Sequence, residues 1–305
     1  MDDLKLTILT PTYNRAHTLQ RAFDSLKNQT FKKFCWIILD DGSTDDTEEI
    51  VNSFISENNF PIEYFKNENS KKFYTVFKGI EKVKTDYFAI LDSDDAYPAD
   101  ALKILVEVAD ELDRRQFISV IGHSEDENGK IYGTQFPGNG FDGSVLEMRY
   151  KYKIRGDKNG LFITEPYLKY LRAFDFEFYK GKYAPQKIFF SIYDGDGMKT
   201  RFINQVIRTY YFDADDQDSM SNDRVKPSSY IGLRDGYRSF LNSYGTKLGS
   251  YPKVLLTNLV GFQSYSILTN QSFVTTIHSI QPMMIWIAGL LLYPLSYVYT
   301  KLKNK

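Results

Sequence analysis

The sequence predicts an α/β fold, a mostly parallel sheet flanked by helices, followed by a helical C-terminal region. Across about the first 110 residues, short apolar runs suited to strands alternate with stretches whose apolar residues recur at helical spacing. Three of those runs end in polar or acidic clusters. Beyond about Ser221 the texture changes to Tyr, Ser and Leu, punctuated by Gly232, Gly236, Gly245 and Gly249, which reads as helices packed outside the sheet.

Leu6, Ile8 and Leu9 make a first strand that ends at Pro11-Thr12-Tyr13-Asn14-Arg15. Leu19, Ala22, Phe23 and Leu26 then share one helical face. Cys35-Trp36-Ile37-Ile38-Leu39 is a second strand, running into Asp40-Asp41-Gly42-Ser43-Thr44-Asp45-Asp46. Gly42 permits a tight turn. Asp45 and Glu48 suit the acidic first turn of a helix whose buried face is Ile50, Val51, Phe54 and Ile55. Asp40 and Asp41 precede the turn, and capping does not explain them. Ile62-Glu63-Tyr64-Phe65 alternates like a third strand, and Phe73, Val76, Phe77, Ile80 and Val83 form the next helix face. Tyr87-Phe88-Ala89-Ile90-Leu91 reads as a strand buried on both faces and runs into Asp92-Ser93-Asp94-Asp95. Short joins predict parallel strands with right-handed crossovers, so the three strand ends fall on one edge of the sheet.

Three carboxylates within four positions repel one another by several kcal/mol unless something neutralises them. A hard divalent cation, Mg²⁺ or Mn²⁺, suits such oxygen ligands. A helix cap is the alternative, since Pro98 and the Ala101, Leu102, Leu105, Val108 pattern open a helix downstream, but capping accounts for one carboxylate. A net charge of −1 gives no pull toward nucleic acid. The single cysteine, Cys35, lies in an apolar run and excludes an internal disulfide, and His17, His123 and His278 are too far apart for a zinc pattern. No G-x-G-x-x-G follows the first strand, which disfavours a dinucleotide fold. The acidic start lacks the basic and apolar regions of a signal peptide, so a cytoplasmic location is expected.

Pro11-Thr12-Tyr13-Asn14-Arg15, Asn28-Gln29-Thr30, Asp40-Asp41-Gly42-Ser43-Thr44-Asp45 and Leu91-Asp92-Ser93-Asp94-Asp95, in this order and spacing, resemble the family 2 glycosyltransferases. The resemblance implies the GT-A fold, a Rossmann-like sheet. It also implies inverting transfer of a sugar from a nucleotide donor, usually UDP-linked, with Mn²⁺ or Mg²⁺. By this analogy Pro11, Thr12 and Tyr13 line the base and ribose, with Arg15 nearby. Asp40 or Asp41 meets the uracil edge. Asp92 meets the ribose, with Ser93 beside it, and Asp94 coordinates the metal, with Asp92 as a second ligand. Lys72 fills the place of a basic residue that faces phosphate in the family, although a solvated lysine beside Lys71 is the other reading. Phe77 stands where relatives often have Asn. The expected organisation is a glycosyltransferase domain over 1–220, with a nucleotide-sugar half (1–112) and an acceptor half (113–220), followed by a helical region over 221–305.

In the acceptor half, His123 to Tyr132 contains an Asn128-Gly129 turn and reads as a hairpin. Gly133, Gly138, Gly140 and Gly143 mark a long loop, and Thr200 to Phe212 reads in part as a strand. Arg155-Gly156-Asp157-Lys158 resembles an element of bacterial capsule and cell-surface polysaccharide members of the family. Inversion needs a carboxylate to take the acceptor proton. Where many relatives carry Pro-Glu, this chain has Pro185-Gln186, and Gln186 cannot act as a base. Asp157 and Glu177 are the candidate bases, followed by Asp194 and Asp196. A salt bridge to Lys158 or Arg155 explains Asp157 equally well. Asp213, Asp215, Asp216 and Asp218 read as a solvated acidic turn.

Ser279 to Thr300 carries no charge, is about as long as a bilayer span and is followed by Lys301, Lys303 and Lys305. A helix pair or re-entrant segment in the cytosolic leaflet fits better than a span, which would carry those lysines outward and be kinked by Pro294. A core helix or an oligomer contact is the other reading. The expected partners are a nucleotide-sugar donor, a glycan or lipid-linked acceptor, the cytosolic membrane face and a second copy of the chain. A sugar nucleotidyltransferase would share the architecture, but the first loop lacks its glycine-rich basic character. A nucleotide-sugar binder that is inactive alone would account for Gln186 and Phe77.

Overall fold

The computed structural model describes residues 3–212 and 226–303. The acidic turn read at Asp213, Asp215, Asp216 and Asp218 lies outside them. The chain divides into two compact units, Met1–Gly181 with Met198–Asp215, and Lys182–Gly197 with Asp216–Lys305. Residues 182–197, assigned from sequence to the acceptor half, group with the second unit.

The first unit is built on an 8-stranded sheet in the order β3-β2-β1-β4-β7-β5-β8-β6. The strands are β1 (Leu6–Thr12), β2 (Phe34–Asp40), β3 (Ile62–Lys66), β4 (Tyr87–Ile90), β5 (Phe117–Asp126), β6 (Gly140–Gly143), β7 (Lys158–Ile163) and β8 (Lys199–Tyr210). Helices α1 (Ala16–Lys27), α2 (Thr47–Glu57), α3 (Lys72–Ile80), α4 (Ala101–Asp110) and α5 (Thr164–Arg172) accompany it. β1, β2, β3 and β4 are parallel, joined through α1, α2 and α3 as the alternating pattern requires. β1 and β2 are buried along their whole length, which is why they read as unbroken apolar runs. Phe23, Trp36 and Phe54 stack beneath them, and Trp36 Nε1 donates to Thr10 Oγ1 at 2.8 Å.

β1 runs past the expected end at Pro11 to Thr12, pairing Pro11 with Leu39. The Leu9 carbonyl accepts from Leu91 N on the β4 side, and the Thr12 carbonyl accepts from Asp41 N on the β2 side. By alternation Pro11 faces β4, which has already ended at Ile90, so its missing N–H removes no ladder bond.

The second half of the sheet is mixed. β7 is antiparallel to β4 and β5, β8 is parallel to β5, and β6 closes the edge antiparallel to β8. The 128–129 turn is present, with Gly129 at φ +76 and a bridge between Glu125 and Ile131. The long loop is shorter than expected, because Gly140 and Gly143 bound β6. At Gly140 (φ +105) a Cβ would lie 2.1 Å from the Phe202 carbonyl, so glycine is what lets this edge strand approach β8.

The second unit holds α6 (Lys187–Gly195), α7 (Tyr230–Tyr244), α8 (Pro252–Leu268), α9 (Phe273–His278) and α10 (Met283–Lys303). Gly232 explains why 182–197 packs here, since a Cβ on it would lie 1.9 Å from the Tyr183 carbonyl. Ser239 Oγ also donates to the Ile188 carbonyl at 2.6 Å. α10 is one continuous helix with Pro294 inside it, which corrects the expectation of a helix pair or re-entrant segment.

Gly160 sits in β7, where an added Cβ would meet the Val120 carbonyl at 1.9 Å. Gly160→Ala must push β7 from β5 and is expected to cost about 2–3 kcal/mol, read by urea unfolding with an unchanged denaturant slope. A change within roughly 0.5 kcal/mol would show that the two strands separate freely.

Candidate active site

The strand ends collect acids on one edge, and most of those acids hold the backbone. Asp40, fully buried, accepts from Ser43 N at 2.7 Å and from the Tyr64 hydroxyl at 2.5 Å. Burial, reinforced by that bond to Asp40, raises the Tyr64 phenol far above its ordinary range. Asp41 accepts from Ser70 N at 2.8 Å and Thr75 Oγ1 at 2.6 Å, and its burial pushes the carboxyl upward. Asp41 thereby fixes the loop leading into α3. Asp45 accepts from Ala16 N at 3.0 Å and Thr47 N at 3.2 Å, serving the first turns of both α1 and α2. Asn14 (φ 52) ties the end of β1 to the end of β2, through its N–H to Ser43 Oγ and its side-chain oxygen from Thr44 N, each 2.9 Å. Tyr13 remains partly exposed beside it. Thr12 is buried, and its Oγ1 has no hydrogen-bond partner. Arg15 occupies the N-cap position of α1, where its carbonyl accepts from Thr18 N and Leu19 N.

At the end of β4 the arrangement differs. One ligand oxygen from each of Asp92, Asp94 and Asp95 lies within 4.8 Å of the others. Ser93 is buried between them in sequence. Lys72, at the start of α3, meets Asp92 at 2.7 Å. Burial opposes charge on both partners, but their attraction prevails, lowering the Asp92 pKa and raising that of Lys72. Burial and the neighbouring Asp92 push Asp94 upward. Burial pushes Asp95 up to about 7 against the pull of Arg208, with Asp92 and Asp94 adding to the rise. Three acids therefore face two bonded cations, and the all-oxygen donor set with surplus negative charge fits a hard divalent cation.

Arg208 comes from the far half of the sheet. β8 runs in the same direction as β4, and β7 runs opposite, so the end of β8 and the beginning of β7 both reach the edge where β4 stops. Arg208, only 2% exposed, bonds Asp95 at 3.0 Å, Asp157 at 2.8 Å and Ser124 Oγ at 3.1 Å. The salt bridge expected for Asp157 exists, but with Arg208 in place of Lys158 or Arg155. Lys158 instead donates to the Tyr132 carbonyl at 3.1 Å. A bridge between Ala96 and Thr209 and a bond from Arg21 Nη1 to the Asp94 carbonyl at 2.7 Å tighten the same corner.

The structure thus brings Pro11, Thr12, Asp40, Asp41, Lys72, Asp92, Asp94 and Asp157 to one sheet edge. Glu177 is held elsewhere on the surface of α3, by Lys78 at 2.7 Å and the Tyr74 hydroxyl at 3.0 Å. Those bonds, led by Lys78, lower its pKa, which disfavours proton uptake. Phe77 is core, packed against Phe73, Phe174 and Phe176. In the second unit, Gln186 precedes α6, Asp196 follows it and is exposed, and Asp194 is buried on the Tyr244 hydroxyl at 2.5 Å. Arg208 was not among the sequence candidates. The signal was present, since an arginine inside an apolar strand needs a buried partner.

The family model described as Glycosyl transferase family 2 matches residues 7–179. A GalNAc(5)-diNAcBac-PP-undecaprenol beta-1,3-glucosyltransferase from Campylobacter jejuni is 31% identical over 140 residues, which is 45% of this chain and 44% of that protein. Glycosyltransferase GlyA from Streptococcus pneumoniae is 33% identical over 103 residues, 34% of this chain and 15% of that one. The chain thus spans less than half the length of these curated relatives. Among solved structures, S. aureus TarS 1–349 in complex with UDP-GlcNAc matches with a TM-score of 0.64 at 19% identity, covering 99% of this chain and 88% of that chain. Mannosyltransferase PcManGT from Pyrobaculum calidifontis, in complex with GDP-Man and Mn²⁺, matches with a TM-score of 0.51 at 15% identity over 98% of this chain and 84% of that chain. These two likenesses show a shared fold.

Arg208→Met leaves Asp95 buried without its cation and is expected to lose about 3–5 kcal/mol in urea unfolding. Arg208→Lys should recover only part of it, because an ammonium cannot bridge two carboxylates and a hydroxyl in one plane. Native stability in both variants would show that Asp95 needs no counter-charge.

Proposed function

Because the chain belongs to glycosyl transferase family 2, we propose that it carries a sugar from a UDP-linked donor to a glycan or lipid-linked acceptor in cell-surface polysaccharide synthesis, with inversion at the anomeric carbon. The observation that carries the donor side is the cluster of Asp92, Asp94 and Asp95, set against Lys72 and Arg208 where parallel strands end. In this reading Asp94 and Asp92 would hold Mn²⁺ or Mg²⁺, which when bound offsets the charge of the diphosphate leaving group. Lys72 adds a point charge on the same side. Pro11, Thr12, Tyr13 and Arg15, with Asp40 or Asp41, supply the nucleotide side, and Ser93 belongs to the same donor set. Since Asp40 and Asp41 are already bonded to backbone and side chains, their part is chiefly to shape that wall.

The acceptor hydroxyl attacks the anomeric carbon as the bond to the donor phosphate oxygen breaks, and a carboxylate takes the hydroxyl proton. Asp157 is the better of the two candidate bases. Arg208 links it to the acid cluster, and its side chain remains largely exposed at that edge. Glu177 is committed to Lys78 and Tyr74. The lipid-linked acceptor is supported by the name of the Campylobacter jejuni relative. The place of work we assign is the cytosolic face of a membrane. Met283–Leu302 supports this, being long and apolar enough for membrane contact by length and composition.

Asp94→Asn should abolish Mn²⁺-dependent UDP-sugar binding in a thermal-shift titration while leaving the unliganded melting temperature within a few degrees. Full metal-dependent binding in that variant would sink the donor-site reading. Asp157→Asn should keep donor affinity and lower transfer by roughly 10²-fold or more, whereas Glu177→Gln should leave transfer unchanged. Normal rates in Asp157→Asn would place the base elsewhere.

A further inference from the structure

α10 has two unlike sides. Ile285, Gly289, Ser296 and Thr300 are buried on the inner side. There the buried Gln263 of α8 donates Nε2 to the Gly289 carbonyl and accepts from Ser296 Oγ, each at 2.7 Å. The outer side carries Met284, Ile287, Leu291, Leu295, Val298 and Leu302, spaced at three and four residues so that they form one stripe. Met284 and Leu291 are each 74% exposed, and Leu295 is 67% exposed. Exposed Tyr297 and Tyr299 flank the stripe, and on α9 the exposed Phe273 and Val274 widen it, Phe273 packing edge-on to Tyr293 at 4.6 Å. The sequence around this surface is one-signed. After Asp235 the chain contains no Asp or Glu, but it contains Arg238, Lys247, Lys253, Lys301, Lys303 and Lys305.

We propose that this stripe lies in the headgroup and upper acyl region of an anionic bilayer, with the axis of α10 in the membrane plane. The inference deepens the membrane-facing part of the proposed function and rests on it. Charge selects lipid over a second copy of the chain. A two-fold contact through this face would bring two copies of the same basic, acid-free stretch of chain together, whereas anionic headgroups supply the missing sign. Tyrosines beside an aliphatic stripe suit the same interface. The Gln263 bonds select the in-plane placement over a span. Drawing α10 off α8 to cross the bilayer would strip both bonds from a buried amide and leave it unpaired.

The test is flotation of the purified full chain with phosphatidylcholine vesicles, with and without phosphatidylglycerol. The native chain should float with the anionic vesicles and be released by salt or alkaline carbonate. Leu291→Glu combined with Leu295→Glu, both at exposed positions, should abolish flotation without changing the melting temperature. Lys301→Glu should weaken it roughly tenfold. Absence of flotation, equal flotation of the double variant, or a concentration-dependent dimer that the double variant dissolves would overturn the proposal. Retention after carbonate would overturn the in-plane placement. UDP-sugar binding with Mn²⁺, measured on the same preparations, should be unaffected by these variants. Its absence from the native chain would count against the donor reading and leave the lipid surface standing.

Discussion

A guanidinium buried at the end of β8 holds the acidic edge of the first unit together. Burying a charge is costly unless it is paired and hydrogen-bonded, and Arg208 has Asp95, Asp157 and Ser124 around it. Each of those partners comes from a different stretch of chain: the loop after β4, the entry to β7 and the strand β5. β8 is separated from β4 by β7 and β5 in the sheet, so the loop after β4 must cross their ends to reach it. The bridge between Ala96 and Thr209 marks that crossing. The position of the acid cluster is therefore set by the second half of the sheet as much as by the strand that carries it.

This division explains what was legible in the sequence. The β1 to β4 half could be read because its signals are local: apolar runs, helical spacing and acids at strand ends all lie within a few residues of one another. The same locality exposed Gly42 and the Asp45 cap. The β5 to β8 half depends on pairings across up to about eighty residues, such as Phe117 with Lys199, which no local period encodes. The strand β6 was hidden because its glycines look like loop residues, and only contact with Phe202 shows that close approach is their purpose. Arg208 could have been suspected from its apolar neighbours, but its partners could not be named without the topology.

Acid-rich strand ends also mislead when every carboxylate is assigned to chemistry. Asp40, Asp41 and Asp45 spend their lone pairs on Ser43, Tyr64, Ser70, Thr75, Ala16 and Thr47. They make the loops rigid, which is what a site built on loops requires if it is to hold a ligand in one pose. Asp92 and Asp95 each have a cation bonded to them, and the charge left over falls at Asp94. The acidic strand ends thus resolve into carboxylates that hold the loops, carboxylates paired with a cation, and Asp94, which burial and the neighbouring Asp92 push upward.

The second unit applies the opposite logic to packing. A helix on a water-soluble surface turns its large apolar residues inward and its polar residues out. α10 departs from this: glycine, serine and threonine join Ile285 on the inner side, while methionine, isoleucine, leucine and valine face outward. Small and polar residues at a helix contact, with large aliphatic ones outside, are what packing requires when the surroundings are themselves apolar, because burying more hydrocarbon between the helices then gains little. The hydrogen bonds through Gln263 join α8 to α10 beside the buried Leu259, Ile277 and Ile285. The same helix ends in basic residues, and under the membrane-surface proposal the apolar face would meet hydrocarbon while the basic end would meet negative headgroups.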